Sequence, residues 1–282
     1  MTPHKAERSS PLYNRSLLSD SQRERIAVVL VSPRNPLNIG AVARAMANFG
    51  FSRLRVASPY EPHWREARSA VGAPQLLANA QQTTSLVEAV RDCTLVLGTG
   101  TLTHRKAEQP VVRLDELAPM IEREFDHHGQ IAVVFGPEKH GLTREDLSYC
   151  HALVEIPTNV HQPSMNLGQA AAVCLYELAT RVTSSTAGSK IGEERDSQID
   201  PTAIEPARNA SGIAPTSGNL DILAGLIEEV MVAAKYSPQT MQQANRHDLR
   251  LLVRRLHLNA ADSRRALGLF RRILRQLRIP QL

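Results

Sequence analysis

The sequence lacks the long hydrophobic runs and the dense cysteines that mark membrane-spanning and disulfide-rich chains. Among its 282 residues, no purely aliphatic stretch is longer than Ile26–Val31, whereas a membrane span needs about 20 apolar residues. No apolar segment follows the polar N-terminus, so no secretory signal is visible. Three cysteines, Cys93, Cys150 and Cys174, form no CxxC pair and suit a reducing compartment. We therefore expect a cytoplasmic protein without a membrane segment.

Two common nucleotide-binding signatures are absent as well. A Rossmann GxGxxG turn or a P-loop GxxxxGK[ST] would follow the first strand directly, but the first apolar run is followed by SPRNPLNIGAVARAMANFGF. This excludes a Rossmann dehydrogenase, a P-loop enzyme and a methyltransferase of the common Rossmann-like type. The histidines show no ligand spacing, because His127 and His128 are adjacent and no HxxxH or Cys/His pattern accompanies them. No metal site is expected.

The sequence does contain a regular alternation of short apolar runs and helix-patterned segments. Five runs predict strands: Ile26–Val31, Leu54–Ala57, Thr94–Leu97, Ile131–Phe135 and Leu153–Ile156. Helices are predicted at Asn38–Phe49, Ser85–Arg91, Leu114–Phe125, Arg144–Tyr149 and Asn166–Arg181. Buried strands that alternate with helices predict an α/β fold, in which a mostly parallel sheet is covered by helices on both faces.

Composition divides the chain into four parts. Polar residues 1–24 predict a mobile N-terminal arm, and residues 25–182 hold the α/β domain. Residues 183–218, rich in Ser, Gly, Pro and Ala, predict a flexible linker. Residues 219–282 predict a small all-helical domain that carries 11 Lys and Arg against 5 Asp and Glu, while the rest of the chain is near neutral. A compact arginine-rich module suits a polyanion such as nucleic acid; the alternative is a solvated helical surface.

The C-terminal segment has its apolar residues and its arginines at helical spacing. One predicted buried stripe consists of Leu249, Leu252, Val253 and Leu256. On another side of the same helix lie Arg246, Arg250 and Arg254. A last helix is predicted over Ala261–Leu277, with an inward stripe that ends at Leu277 and with outward arginines at positions 271, 275 and 278.

Three segments that follow predicted strands carry the chemistry. They read GTGT at 98–101, FGPEKHGL at 135–142 and IPTNVHQPSMNLGQA from Ile156 onward. Parallel sheets bind ligands at the loops that follow the carboxyl ends of their strands. We therefore expect these three loops to form one pocket.

Three motifs at this spacing resemble the SPOUT superfamily, in its SpoU-like branch of RNA ribose 2′-O-methyltransferases. The first motif is NIGAVARAMANFG, with Asn38 and Arg44; the second is FGPEKHGL; the third is IPTNVHQPSMNLGQAAAVCLYEL. The resemblance covers residues 25–182. More loosely, the C-terminal segment LRLLVRRLHLNAADSRRALGLFRRIL resembles the tail of the tRNA (cytidine/uridine) 2′-O-methyltransferases.

The resemblance implies a deep trefoil knot at the C-terminal end of the α/β domain, S-adenosyl-L-methionine as the cofactor, and a homodimer with active sites at the subunit interface. By motif, the implied cofactor contacts are Thr99, Gly100, Thr101, Gly136, Ile156, Ser164, Met165 and Asn166. Met165 stands where leucine is commoner in the family, a substitution close in volume that the pocket should tolerate. RNA contacts are predicted at Arg44, Arg246, Arg250, Arg254, Arg271 and Arg275.

The implied catalytic set is Arg44, Ser164, Asn38 and Asn166. A guanidinium is not deprotonated in proteins, so we predict that Arg44 clamps a phosphate beside the target ribose and stabilises developing alkoxide charge. The proton would leave through that phosphate, a water or Ser164. Asn38 is expected to cap the first helix and to fix its loop, and Ser164 and Asn166 to present backbone N–H groups. Glu138 is expected to organise its own loop rather than to react.

The predicted function is methyl transfer to a ribose 2′-OH in a tRNA anticodon loop. The same reaction on ribosomal RNA and a non-catalytic RNA-binding protein stay open as alternatives. Tyr60 and Trp64 lie in a loop beside arginines, where an aromatic ring either stacks on an unpaired base or packs in the core.

Overall fold

The structure is a computed structural model that describes residues 18–100, 107–182 and 213–279. Its strands form one seven-stranded sheet in the order β3-β2-β1-β6-β4-β7-β5, and all the pairings in it are parallel. The strands are β1 (Ile26–Val31), β2 (Arg53–Ala57), β3 (Gln81–Thr83), β4 (Leu95–Thr99), β5 (Val111–Arg113), β6 (Ile131–Phe135) and β7 (Ala152–Glu155). The predicted mostly parallel α/β sheet is confirmed.

Ten α-helices accompany the sheet within the described residues. Those of the α/β part are α1 (Asp20–Arg23), α2 (Pro36–Phe49), α3 (Pro74–Ala78), α4 (Leu86–Val90), α5 (Ala118–Asp126), α6 (Arg144–Ser148) and α7 (Leu167–Arg181). The C-terminal helices are α8 (Ser217–Ala233), α9 (Gln242–Arg255) and α10 (Ala260–Leu277). Among residues 18–100, 107–182 and 213–279, no helix is long and apolar enough to cross a bilayer.

Both faces of the sheet are covered, which explains why its central strands β1 and β6 are continuous apolar runs. Alternate residues of a strand point to opposite faces. In β1, Val28 packs into a core shared with α2, α5 and α7, whereas its neighbour Val29 packs into a second core with α4 and the segment around α6. A strand buried on both sides favours apolar residues at every position; in β2, the buried Arg55 is accommodated by its hydrogen bonds to Asp92.

The C-terminal helices pack on one another and on the face of the sheet that carries α4 and α6. Their own small core is formed by Leu220, Leu223, Ala224, Leu249, Val253 and Leu267. At the start of α8 the chain is tied to the α/β part, because the Ser217 N–H donates to the carbonyl of Cys93 at 2.7 Å. Both α4–α8 and α6–α9 are in contact.

Several predicted boundaries differ from the structure. Residues 18–24 of the predicted mobile arm are ordered: Leu18 is buried, and Ser19 caps α1. Helix α8 begins at Ser217, inside the predicted linker 183–218, of which residues 183–212 lie outside the described residues. Strands β3 and β5 were not predicted. Each is three residues long and lies at an edge of the sheet, where exposed side chains leave no apolar run.

Candidate active site

Three of the predicted cofactor residues lie at neighbouring strand ends. Strand β4 lies between β6 and β7, with Gly98 in register with Val134 and Thr99 in register with Val154. Gly136 and Ile156 come directly after β6 and β7, so they leave the same edge of the sheet as Thr99. The Thr99 hydroxyl donates to the Val134 carbonyl at 2.9 Å, which ties the end of β4 to β6. Gly100 is exposed, and Thr101 lies outside the described residues.

The loop after β6 needs its first glycine because its backbone folds back on itself. A Cβ on Gly136 would lie 2.2 Å from the Leu142 nitrogen and 2.3 Å from the Gly141 carbonyl carbon. The Gly141 N–H donates to the Pro137 carbonyl at 2.9 Å, and Gly141 has a φ of +64°, a conformation that favours glycine. The two glycines of FGPEKHGL therefore close a compact loop.

The Glu138 carboxylate binds the start of α2, a contact beyond its own loop that the sequence does not predict. Its two oxygens accept the backbone N–H groups of Arg34 and Asn35, each at 3.1 Å, and the Asn38 side-chain amide at 3.0 Å. Partial burial raises the pKa of Glu138, but these hydrogen bonds outweigh it and leave the pKa below its usual value. Glu138 is thus held ionised at the junction of two loops.

Asn38 and Asn166 join the first motif to the third. The Asn166 amide donates to the Asn38 side-chain oxygen at 3.0 Å, while the Asn166 oxygen accepts the Gly168 N–H and caps α7. The predicted cap at Asn38 is wrong: the side chain of Asn35 caps α2, and Pro36 follows at the first helical position. Asn38 lies inside the helix, where its side chain is free to link Glu138 with Asn166.

The loop between β7 and α7 leaves its last polar residues accessible. It is fastened internally, because the Thr158 hydroxyl donates to the Pro163 carbonyl at 3.2 Å and the His161 N–H donates to the Asn159 side chain at 2.9 Å. Ser164 is exposed and Met165 is half-buried, immediately before the cap of α7. We call the linked residues Glu138, Asn38 and Asn166 the motif junction. The Ser164 hydroxyl, two residues before Asn166, is available to a ligand at its edge.

The motif-bearing part of the chain, residues 25–176, matches the model of the SpoU rRNA Methylase family. The chain belongs to this family. It is 38% identical over 156 residues to the tRNA (cytidine/uridine/adenosine-2′-O-)-methyltransferase TrmJ of Pseudomonas aeruginosa, an alignment that covers 55% of this chain and 60% of that protein. Against the tRNA (cytidine-2′-O-)-methyltransferase TrmJ of Methanocaldococcus jannaschii it is 38% identical over 159 residues, 55% of this chain and 68% of the relative.

The crystal structure of TrmJ from Z. mobilis ZM4 superposes with a TM-score of 0.69 at 26% identity, over 88% of this chain and 98% of that chain. The alignment with the Pseudomonas relative spans only 60% of that relative's length. Family membership therefore accounts for the motif junction, which lies inside the matched residues, whereas the C-terminal helices lie outside them.

In the SpoU part of the chain, residues 25–176, the structure does not bring Arg44 to the motif junction of its own chain. Arg44 is exposed on α2, about 120° around the helix axis from Asn38, because six residues separate them at 3.6 residues per turn. Among the residues that the structure describes, its guanidinium makes no hydrogen bond or ion pair.

Two of the predicted RNA-binding arginines are buried between the C-terminal helices and the SpoU part. Only 4% of Arg254 is exposed; its guanidinium donates to the Tyr149 carbonyl at 3.1 Å, the Ser217 hydroxyl at 2.9 Å and Asp221 at 2.8 Å. The guanidinium for which the sequence analysis predicts an RNA contact is thus engaged within the protein itself. All these partners are polar groups that would be costly to bury without a hydrogen bond. Arg254 therefore helps to hold the C-terminal helices against the α/β part.

Arg250 is buried in the same interface. Its guanidinium lies 4.2 Å from the centre of the Tyr149 ring and donates to Glu145 at 3.2 Å. One turn earlier, His247 lies 2.7 Å from Glu108. The predicted apolar stripe is wrong in part for the same reason, because α9 turns these polar side chains inward and leaves Leu252 and Leu256 exposed.

The remaining predicted arginines differ in their surroundings. Arg246 pairs with the buried Glu228 at 2.7 Å. Arg271 and Arg275 are exposed on α10 and make no ion pair within the described residues, as the sequence predicts for them. Leu277, predicted inward on the same helix, is exposed.

Sequence reasoning missed residues that the structure places at the junction or in the interface. Asn35 followed by Pro36 is a recognisable helix start, because asparagine is a favoured cap and proline suits the first helical position. No sequence motif marks Glu108 and His247, since their pairing joins distant parts of the chain. Trp64 is fully buried and belongs to the core, whereas Tyr60 is exposed. The structure shows no group of three or more metal-ligating side chains within the described residues.

Proposed function

We propose that this protein transfers a methyl group from S-adenosyl-L-methionine to a ribose 2′-OH of RNA, in the anticodon loop of a tRNA. The observation that carries the proposal is the hydrogen-bonded chain Glu138–Asn38–Asn166, which joins the three family motifs beside three adjacent strand ends. The relatives named TrmJ act on tRNA by their names, which favours tRNA as the substrate.

The residues around the junction suit the cofactor. Thr99, Gly100, Gly136 and Ile156 would hold it from the strand ends, and Ser164, Met165 and Asn166 from the loop before α7, where backbone N–H groups of a helix start attract a carboxylate. When bound, the cofactor supplies an electrophilic methyl group on a sulfonium that leaves readily. The chain after β7 would thread the trefoil knot typical of the SPOUT superfamily.

The chain's own residues must then align a 2′-OH and accommodate its proton. Glu138 does not suit the role of general base, because its two oxygens accept three hydrogen bonds and its pKa is lowered. Arg44 stays protonated and would clamp the phosphate beside the target ribose and stabilise alkoxide charge. The proton would pass to that phosphate, a water or the Ser164 hydroxyl.

A homodimer would bring Arg44 to a motif junction. Its outward position on α2 suits a residue that completes the site of a second subunit. Apolar side chains on α2 and α7 are exposed near it, with Leu37 at 55%, Val173 at 36% and Tyr176 at 52%. A dimer interface over these helices would cover them. Acting on tRNA, the enzyme would work in the cytoplasm.

The exposed arginines of α10 would grip the RNA backbone. Phosphate contacts release counterions, so the affinity for RNA would fall with salt, and each lost contact would reduce the slope of log affinity against log salt by about 1. Replacing both Arg271 and Arg275 by alanine should weaken RNA binding and flatten this slope, while the affinity for the cofactor stays the same.

The deciding experiment is mass spectrometry of nucleosides from tRNA and from ribosomal RNA, each incubated with the protein and S-adenosyl-L-methionine. A 2′-O-methylated nucleoside in tRNA supports the proposal, whereas methylation of ribosomal RNA alone supports the alternative substrate that the family name suggests. Cofactor binding without methylation of either RNA would indicate a non-catalytic protein.

The variant Arg44→Lys tests the clamp, because it keeps the charge but loses the planar fork. A rate near that of the unmodified protein would exclude a bidentate contact.

A further inference from the structure

The ends of β1 and β2 carry the same short sequence. Val31 is followed by Ser32-Pro33-Arg34, and Ala57 by Ser58-Pro59-Tyr60. Val31 and Ala57 are paired in register on neighbouring parallel strands. The two Ser-Pro turns therefore start side by side at the edge of the sheet that carries the motif junction.

Both serines adopt a left-handed backbone, with φ of 44° at Ser32 and 47° at Ser58. This conformation is unfavourable for a residue other than glycine, and proline disfavours it further in the residue before it. Hydrogen bonds hold the two turns, since the Ser32 N–H donates to the Ala57 carbonyl at 2.8 Å and the Ser58 N–H donates to the Thr83 carbonyl at 2.9 Å. The same strained turn occurs twice.

The consequence of these turns is that Arg34 and Tyr60 lie together. The guanidinium carbon of Arg34 is 5.6 Å from the centre of the Tyr60 ring, within the range of a cation–π contact. The Tyr60 N–H donates to the Pro33 carbonyl at 3.2 Å, which fixes the two loops to each other. Even so, Tyr60 remains 70% exposed.

This pair borders the motif junction directly. The backbone N–H of Arg34 donates to Glu138, whose other oxygen accepts the side-chain amide of Asn38. Among the described residues, the Arg34 guanidinium makes no ion pair, so its charge is not neutralised by a carboxylate of the protein. A planar cation and an aromatic ring thus stand solvent-exposed next to the Glu138–Asn38 contact.

We propose that Arg34 and Tyr60 form a stacking platform for an unpaired base of the RNA substrate, either the target base or its neighbour. The inference rests on the proposed function and names the residues that bind the splayed base. Proteins hold unpaired bases by stacking them on aromatic rings or on arginine planes. The platform has both surfaces, and its Arg34 also offers charge to the adjoining phosphate.

The test compares Tyr60→Ala, Tyr60→Leu and Tyr60→Phe in the full-length protein, with Tyr236→Ala as a remote control because Tyr236 is also highly exposed. We expect Tyr60→Ala and Tyr60→Leu to raise the KM for tRNA about ten-fold, which corresponds to about 1.4 kcal/mol. Tyr60→Phe should lose less than about three-fold, because the ring face is kept. The dissociation constant of the cofactor should be unchanged in all four variants.

An anticodon stem-loop with an abasic nucleotide in place of the stacked base gives an independent readout. The unmodified protein should lose about ten-fold in affinity for the abasic RNA, whereas Tyr60→Ala should bind both RNAs equally. If Tyr60 had only a structural role, the abasic nucleotide would weaken binding to Tyr60→Ala as much as it weakens binding to the unmodified protein. Arg34→Ala should weaken binding in the same direction, and Arg34→Lys should restore charge but only part of the affinity.

Two results would overturn the platform. One is RNA affinity in Tyr60→Ala equal to that of the unmodified protein. The other is a parallel loss of cofactor affinity, which would place the ring against the cofactor or in the fold. If the unmodified protein binds RNA but transfers no methyl group, the proposed function fails, while the Tyr60 comparison of RNA binding still tests the platform.

Discussion

The side-chain amide of Asn166 donates a 3.0 Å hydrogen bond to Asn38, although 128 positions separate the two residues in the sequence. Asn38 in turn donates to Glu138. Each amide in this chain acts as both donor and acceptor, a combination that an ionised carboxylate cannot provide. Replacing one of these side chains by a group that cannot both donate and accept should therefore disturb the contacts of the other two.

The variant Asn38→Asp tests this dependence. Aspartate would place a second carboxylate 3.0 Å from Glu138 and would remove the donated hydrogen bond. We expect methyl transfer to lose at least about ten-fold in kcat/KM, about 1.4 kcal/mol. The matched control is Asn79→Asp at the exposed end of α3, and equal activity of the two variants would contradict the expectation.

Gly136→Ala should destabilise the fold and abolish cofactor binding. The added Cβ would lie 2.2 Å from the backbone nitrogen of Leu142, so the loop after β6 would have to move. We expect the free energy of unfolding to fall by about 1–3 kcal/mol. Gly225→Ala on α8 is the control. Beyond the neighbouring backbone of its own helix, no atom lies within 4 Å of its Cβ position, so the free energy of unfolding should rise by about 0.5–1 kcal/mol. Urea unfolding of both variants provides the measurement.

Arg254→Ala should destabilise the docking of the C-terminal helices. It would leave Asp221, only 13% exposed at the side chain, without its guanidinium, and breaking a buried pair costs about 3–5 kcal/mol. The exposed Arg275→Ala should change stability by less than about 0.5 kcal/mol. Denaturant titration distinguishes the two. A loss of RNA affinity in Arg254→Ala without any loss of stability would return Arg254 to the RNA-binding set.

Protonation of Asp92 should lower the stability of the protein in acid. Burial raises the pKa of this carboxyl, but hydrogen bonds and the positive charge of Arg55 lower it from 3.8 to about 2. Because the folded pKa is depressed, this stabilisation is present above pH 4 and is lost as the pH falls toward 2. Between those values Asp92→Asn should lose less stability than the unmodified protein. Urea unfolding at successive pH values checks this, and identical curves would contradict it.

The parts of the fold that could be predicted are those with a clear local sequence pattern. β1 and β6 were predicted at their observed bounds because each is a run of apolar residues with no polar interruption. β3 and β5 were missed because each is an edge strand of only three residues, too short to form a recognisable apolar run. The helix start at Asn35 was misplaced by three residues, although the Asn-Pro pair marks it.

For the candidate site, the sequence indicates which loops follow neighbouring strands but not which side chains they bring into contact. The strand order places Thr99, Gly136 and Ile156 at one edge of the sheet, and hydrogen bonds join Asn166 to Asn38 and Asn38 to Glu138. The partner of Glu138 and the burial of Arg250 and Arg254 were not predictable, because a four-residue spacing of arginines is the same whether the helix turns that face to water or to Tyr149. Only the tertiary contact distinguishes the two.

The paired Ser-Pro turns couple the lengths of two loops that the chain encodes separately. One residue inserted between β1 and Arg34 would shift the guanidinium by about 3.8 Å along the backbone, enough to part it from the Tyr60 ring. Lengthening the loop after β2 would have the same result from the other side. Among relatives, insertions at these two positions should therefore occur together, and a protein that has lost one turn should no longer conserve the other.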